Sequence, residues 1–355
     1  MKLVDLAIRS REENVLFSVL VELTYACNLD CFFCYNDRAI EGKPLSTEQY
    51  FQFMEDLRDM QVLNLAFSGG EPLAHPDFFK IGAKARELGF VVRIKSNGHA
   101  LTQRLASRLK REVDPFGIDI SLHGATAETH DRQTQIPGSF ERLAKNFQVL
   151  RDLGLRFRLN ATLTAWNEHE IENMFDIAEY WNVPLNLSSA VTPRDNGDQD
   201  PLSISPSAGA IEKAFATRLT RHKLNMDIPS AELVSPSVQP LEKCESTAGT
   251  GKQCGTGSST LTIDPMGNIL PCVQWRQPVG NLHRQSVKDL WQSSPLLDNV
   301  RETAKKAKQL VDSYGKAGRL MSYCIGEAVC QTGSPLNIYP IAKIQMENRL
   351  KIVIK

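Results

Sequence analysis

The chain has 355 residues, 42% hydrophobic and 23% charged, enough to bury a sizeable core in one large domain or two. Lys+Arg and Asp+Glu both number 41, so no overall field gathers nucleic acid or an anionic membrane. Eight cysteines are too few for a disulfide scaffold at this length. There is no signal-peptide core and no run of about 18 apolar residues, which reads as a cytoplasmic protein with reduced thiols.

An apolar run at 17–23 reads as the first strand, and Cys27, Cys31 and Cys34 follow it as C-x3-C-x2-C. Thiolates are soft ligands suited to zinc or iron–sulfur clusters. Three of them on a four-iron cluster leave one iron open to another ligand. A zinc knot with a distant fourth ligand, or three unrelated buried thiols, are the alternatives. Ser46 and Gln49 form a capping box before a helix whose Tyr50, Phe53, Met54 and Leu57 share one face. Strands are then expected at 62–67, 91–95, 116–121, 157–163 and 185–189, with helices at 76–88, 101–110, from Ser139 and near 168–181. Six strands with intervening helices predict a parallel, right-handed wound sheet. The later strands alternate: Phe116, Ile118 and Ile120 against Gly117, Asp119 and Ser121, and Phe157, Leu159 and Ala161 against Arg158, Asn160 and Thr162. Strands buried on both faces should be apolar throughout, so one face here needs polar partners. Either it lines a ligand-filled barrel or it belongs to an open sheet with a solvated face.

Ser68-Gly69-Gly70-Glu71-Pro72 directly follows the second strand, and its glycines let backbone groups approach a ligand closely. The cysteine array, with aromatic Phe33 before Cys34, and this GGEP segment one βα unit later together resemble the motifs of radical SAM enzymes. The resemblance implies a partial (β/α)6 TIM-like barrel with an iron–sulfur-binding extension. It implies a 4Fe–4S cluster on Cys27, Cys31 and Cys34 whose open iron binds S-adenosylmethionine, the source of a 5′-deoxyadenosyl radical that abstracts hydrogen from substrate. Gly69, Gly70 and Glu71 would contact the methionine amino group, and Asn97 with Gly98 would form a turn beside the site. Ser121 would contact the ribose and Arg132 the carboxylate, the latter pairing as a guanidinium fork. Asn160 and Ser188 are carried by strand position. His123 is a proton donor or a hydrogen-bonded structural residue.

A Pro-, Asp- and Ser-rich stretch at 193–207 divides the chain into a barrel, 1–192, and a second part, 193–355. Helices are expected there at 208–222, 287–292 and 297–311, and alternation around Asp264-Pro265-Met266-Gly267-Asn268 reads as a β-hairpin between Cys254 and Cys272. The spacing C-x12-G-x4-C resembles the start of a SPASM/twitch extension, with the dense cysteine set after Cys272 reduced to Cys324 and Cys330. The resemblance implies one auxiliary iron–sulfur cluster on Cys244, Cys254, Cys272 and Cys324, with Cys330 the other choice for the fourth ligand. Structural zinc on the same cysteines is the alternative.

The expected activity is therefore hydrogen abstraction, with an electron donor such as flavodoxin or ferredoxin. A ribosomally synthesised peptide is the expected substrate, crosslinked or epimerised, with a separate leader-binding protein as a further partner. Tetrapyrrole oxidation and sulfatase maturation are the alternatives; Val273 after Cys272, where the sulfatase branch typically carries Asp, counts against the latter. A non-catalytic iron–sulfur electron carrier would leave the GGEP segment and the polar strand faces without a use.

Overall fold

A computed structural model describes residues 3–39, 41–224 and 251–353. Six parallel strands form its centre: β1 Ser18–Thr24, β2 Asn64–Gly69, β3 Val91–Ser96, β4 Gly117–Ser121, β5 Phe157–Thr162 and β6 Leu185–Ser188. Helices α1 Leu3–Glu13, α2 Thr47–Asp59, α3 Phe78–Glu87, α4 Gln103–Glu112, α5 Ala127–Thr134, α6 Ser139–Asp152 and α7 Ile171–Tyr180 precede or connect them. The capping box at Ser46 is present, and α2 buries Tyr50, Phe53, Met54 and Leu57. Both follow from the 3.6-residue period. Helices α1 and α5 were not expected from the sequence.

The sheet order is β6-β5-β4-β3-β2-β1-β7-β8-β9, with β7 Thr260–Ile263, β8 Asn268–Leu270 and β9 Gly280–Asn281. The expected hairpin is β7–β8, turned by Asp264, whose Oδ1 accepts the N–H groups of Met266 and Asn268 at 2.9 and 2.8 Å. Its place in the molecule was not expected. Strand β7 pairs in parallel with β1, Ser18 opposite Thr260 and Val21 opposite Ile263, so the second half of the chain continues the first half's sheet. Helices α8 Ala208–Leu224, α9 Val287–Ser293, α10 Pro295–Asp312, α11 Ile325–Thr332 and α12 Pro340–Val353 complete the described residues.

Paired residues of parallel strands share a face, which resolves the alternation noted above. Val92, Ile94, Ile118, Ile120 and Leu159 turn to the helices and are buried in the main core. Lys95, Asp119 and Arg158 form one layer of the other face, and Ser121, Asn160 and Asn186 the next. Asp119 is only 3% exposed, held by Arg158 Nε and Nη2 at 2.5 and 2.8 Å, with Lys95 at 3.4 Å. The polar face is the inward face of a partial barrel, closed over Asp119 and open at Lys95 and Asn186, which are exposed.

Candidate functional site

The cysteine loop leaves β1 at Thr24 and is anchored by buried Tyr25 and Leu29. Two amides pin it to α5: Asp30 donates to Thr134 O at 3.0 Å and Phe32 to Gln133 O at 3.1 Å. Within the loop, Cys34 N–H donates to Cys31 O at 3.0 Å, and Cys27 Sγ accepts from Leu29 N–H at 3.4 Å and Asn97 Nδ2 at 3.7 Å. Burial pushes all three thiols above the usual range, and the Cys31 thiol also feels Cys34 and Cys27. Three neighbouring buried thiols resist ionisation unless a positive group joins them, and a bound metal centre supplies that charge. Among the described residues, no three His, Cys, Asp or Glu side chains converge on a single-ion position. Three thiols on one short loop are soft donors, of the kind that hold an iron–sulfur cluster with each sulfur on a different iron. The donor set fits the cluster.

The GGEP loop lies directly against the cysteine loop. Gly70 N–H donates to Thr24 O at 2.7 Å and Glu71 N–H to Ala26 O at 2.9 Å. A Cβ at Gly69, where φ is +133°, would meet Thr24 O at 2.2 Å, and one at Gly70 would meet Tyr25 O at 2.5 Å. The glycines therefore allow loop-to-loop contact, with the Gly70 and Glu71 amides engaged between the two loops. Glu71 turns inward, 2% exposed, accepting from Asn97 N–H at 2.8 Å, Ser96 Oγ at 3.0 Å and Leu73 N–H at 3.1 Å. Burial pushes its carboxyl up to about 7. It ties the loop after β2 to the turn after β3, and Asn97 in turn donates to Asn28 Oδ1 at 2.8 Å. Asn36, which sequence reading missed, donates to Gly69 O at 3.1 Å and leaves its buried Oδ1 without a partner.

Further round the mouth, Ser121 ends β4, and Asn160 on β5 accepts from Asn186 at 3.1 Å while its buried Nδ2 has no partner. Ser188, exposed at the end of β6, accepts from Ala190 N–H at 3.3 Å. Arg132 lies on α5 with its guanidinium 4.3 Å from the Trp166 ring, and Trp166 packs at 4.9 Å on Phe32 of the cysteine loop. The arginine is thus placed at the rim of the loop by an aromatic residue that sequence reading did not single out. His123 is buried edge-on against Phe33 at 4.7 Å, and its backbone N–H donates to His130 Nδ1 at 3.2 Å. Burial, then the neighbouring His99, pushes the His123 imidazole down to about 4, which favours its neutral form, and its buried Nδ1 has no partner among the described residues.

The second cysteine set gathers at the β7–β8 end of the sheet. Cys254 is pushed up to about 12 by burial and then by Cys272, while the Cys324 thiol rises under burial, Glu327, Cys272 and Cys254. Cys324 caps the start of α11. Cys330, on the same helix, lies with its Sγ 3.3 Å from Gln274 O and also feels Cys272. Cys244 lies outside the described residues.

Between the two cysteine sets stands a buried polar cluster invisible in the sequence. Arg276 donates to Glu22 Oε2 of β1 at 2.9 Å and to Tyr25 Oη at 2.8 Å, and pairs with Asp195 Oδ2 at 2.9 Å. Tyr35 donates to the other Glu22 oxygen at 2.9 Å. The 193–207 stretch, expected to be a linker, here lies over the cysteine loop: Arg194 donates to Phe32 O at 3.0 Å and Asp195 N–H to Tyr35 O at 2.9 Å.

Comparison with known proteins agrees with this geometry. Residues 21–178 match the radical SAM superfamily, and residues 254–313 match SPASM, an iron–sulfur cluster-binding domain. The AdoMet-dependent heme synthase of Methanosarcina barkeri is 26% identical over 90% of this chain and 94% of its own length. The mycofactocin maturase MftC of Mycobacterium tuberculosis is 27% identical over 89% of this chain and 80% of its own. In fold, the chain is similar to Streptococcus suis SuiB bound to S-adenosylmethionine, with a TM-score of 0.69 at 17% identity, covering 96% of this chain and 80% of that one.

Proposed function

We propose, from the premise that this chain belongs to the radical SAM superfamily and carries a SPASM iron–sulfur domain, that it oxidises a peptide by hydrogen abstraction inside the barrel. In this reading Cys27, Cys31 and Cys34 hold a 4Fe–4S cluster, and Cys244, Cys254, Cys272 and Cys324 hold an auxiliary one, with Cys330 the alternative to Cys324. When bound, the open iron and S-adenosylmethionine supply a 5′-deoxyadenosyl radical. The chain's own residues bind, orient and exclude water. In this reading the Arg132 guanidinium, stacked on Trp166, takes a carboxylate, and the unpartnered Asn160 donor and Asn36 acceptor meet polar ligand groups. In the same reading Ser121, at the end of β4, and Ser188, at the end of β6, meet the same cofactor. Phe32, Phe33 and Trp166 form an apolar rim that keeps water from a reactive species. The barrel as residues 1–192, with the remainder as its extension, is part of the proposal.

The observation that carries the peptide reading is β6. Among the described residues it pairs with β5 alone, at the edge of the sheet, and its residues are half-buried to exposed. An open parallel edge beside the barrel mouth is a template for an extended chain, which adds main-chain hydrogen bonds as a further strand. The mycofactocin maturase relative supports it, as does the likeness to SuiB, whose structure with its precursor peptide SuiA has also been determined. A reductant of the flavodoxin or ferredoxin type and a separate leader-binding protein belong to the same proposal. The heme synthase relative, spanned almost end to end, favours a tetrapyrrole as the second reading.

The test is to incubate reduced, reconstituted enzyme with S-adenosylmethionine and either peptides encoded beside its gene or carboxylated tetrapyrroles. Loss of two hydrogens from a peptide supports the first reading. Turnover of a tetrapyrrole alone refutes it and leaves the radical chemistry standing.

A further inference from the structure

The residues that join barrel to extension converge on one guanidinium. Arg276 follows Cys272 closely in sequence, and Trp275 N–H donates back to Cys272 O at 3.2 Å. From there the guanidinium reaches into the barrel to Glu22 and Tyr25, and across to Asp195. Glu22 is fully buried and Arg276 only 15% exposed. On the far side, Tyr35 takes the second Glu22 oxygen, and Tyr35 is the residue next to Cys34. A chain of hydrogen bonds thus runs from one cysteine loop to the other through three side chains: Tyr35, Glu22 and Arg276.

Adhesion alone does not call for this arrangement. Buried ion pairs lose much of their attraction to desolvation, and apolar residues of like volume hold two surfaces together as well or better. What a planar, five-donor fork adds is direction: it fixes the angle and distance at which its partners meet. The fork here is used on three partners from three separate segments, β1, the cysteine loop and the 193–199 strap. None of these is adjacent in sequence to the hairpin that carries Cys272.

We propose that Arg276 is a positioning residue that registers the Cys272 loop on the Cys34 loop, and so sets the separation and orientation of the two iron–sulfur centres. The proposal rests on the two-centre reading above. It makes Glu22 the partner through which Arg276 acts, and Asp195 a second clamp on the strap.

The test is made on the full chain, reconstituted anaerobically and reduced. Wild-type enzyme should show a magnetic interaction between its two reduced centres by pulsed electron paramagnetic resonance. Arg276→Gln should weaken or broaden that interaction while keeping the iron content and the separate spectrum of each centre, and Arg276→Lys should restore it in part. In the metal-free protein, Arg276→Gln should speed proteolytic cleavage within 193–199. Should Arg276→Gln fail to fold, Asp195→Asn, which keeps the Glu22 pair, should show the same change to a smaller degree. An interaction identical to wild type in Arg276→Gln, or in Asp195→Asn where that stands in, overturns the proposal, whatever the effect on melting temperature. Wild-type enzyme with iron for a single centre removes the two-centre reading and the proposal with it, a different result from two unperturbed centres.

Discussion

Replacing Gly70 by Ala tests whether the glycine pair exists to bring two loops together. The new Cβ would lie 2.5 Å from Tyr25 O and 2.6 Å from Ala26 O, where ordinary contact begins at 3.4 Å. Both oxygens are backbone atoms and cannot rotate away, so the loops must part by about an ångström. That movement stretches Gly70 N–H to Thr24 O, now 2.7 Å, and Glu71 N–H to Ala26 O, now 2.9 Å. Overpacking costs about 1–3 kcal/mol and each hydrogen bond about 1 kcal/mol, for a total of about 3–5 kcal/mol. The cost falls on the cysteine loop itself. Gly70→Ala protein should therefore melt several degrees lower, lose most of the iron held by Cys27, Cys31 and Cys34, and form little 5′-deoxyadenosine, while keeping the second centre's absorbance. Wild-type iron content and S-adenosylmethionine cleavage in Gly70→Ala would refute the reasoning.

Replacing Cys27, Cys31 and Cys34 together by Ala should abolish 5′-deoxyadenosine formation and leave the auxiliary absorbance; retained cleavage would remove the assignment. Wild-type protein should bind about eight irons, two four-iron centres. Cys324→Ala should lose the auxiliary iron and Cys330→Ala should keep it, the reverse result reassigning the ligand. Burial raises the Asp119 carboxyl, but the hydrogen-bonded Arg158, then Lys95 and Arg93, more than offset it, so it lies below the ordinary value. Its stabilising contribution is therefore complete above the unfolded-state value near 3.8 and is lost as pH falls through the folded value. Asp119→Asn should cost about 3 kcal/mol at neutral pH and flatten the acid limb of the stability profile; an unchanged acid limb would show that the ion pair contributes little.

The parts of the site legible in the sequence are those whose chemistry is local. Three cysteines within a few residues, and two glycines directly after a strand, announce themselves without a partner. The alternating strands also announced a polar face, and the likeness in fold to SuiB, together with the buried Asp119, favours the barrel over the open sheet. What stayed hidden needs residues far apart in sequence. Period-2 alternation identifies 259–263 as a strand but says nothing about which neighbour it takes, so its parallel pairing with β1 was not readable. Arg276, Glu22, Tyr35 and Asp195 come from separate segments, and none carries a pattern on its own. The Pro, Asp and Ser content of 193–207 reports the absence of regular backbone, not the absence of contacts. That is why a stretch read as a linker turns out to hold the cysteine loop. Glu71 was singled out because it completes the GGEP segment, but that its carboxylate also ties Asn97, Ser96 and Leu73 together is visible only in the fold.

The pairing of β1 with β7 bears on the order in which the protein is made. While the chain is being synthesised, β1 can pair with β2 soon after it emerges, since Ser18 and Asn64 lie close along the chain. Its other edge waits until Thr260–Ile263 has been translated, most of the protein later. During that interval β1 carries a row of open amide and carbonyl groups together with the cysteine loop at its end. Such an edge invites pairing with a second nascent chain, and so distant a closure is slow to form. The glutamate that Arg276 later neutralises, Glu22, sits on that same strand, and an unpaired charge there discourages the wrong partner until the right one arrives. Fragments ending before Thr260 should accordingly be poor holders of iron, because the strand that aims the cysteine loop lacks half of its support.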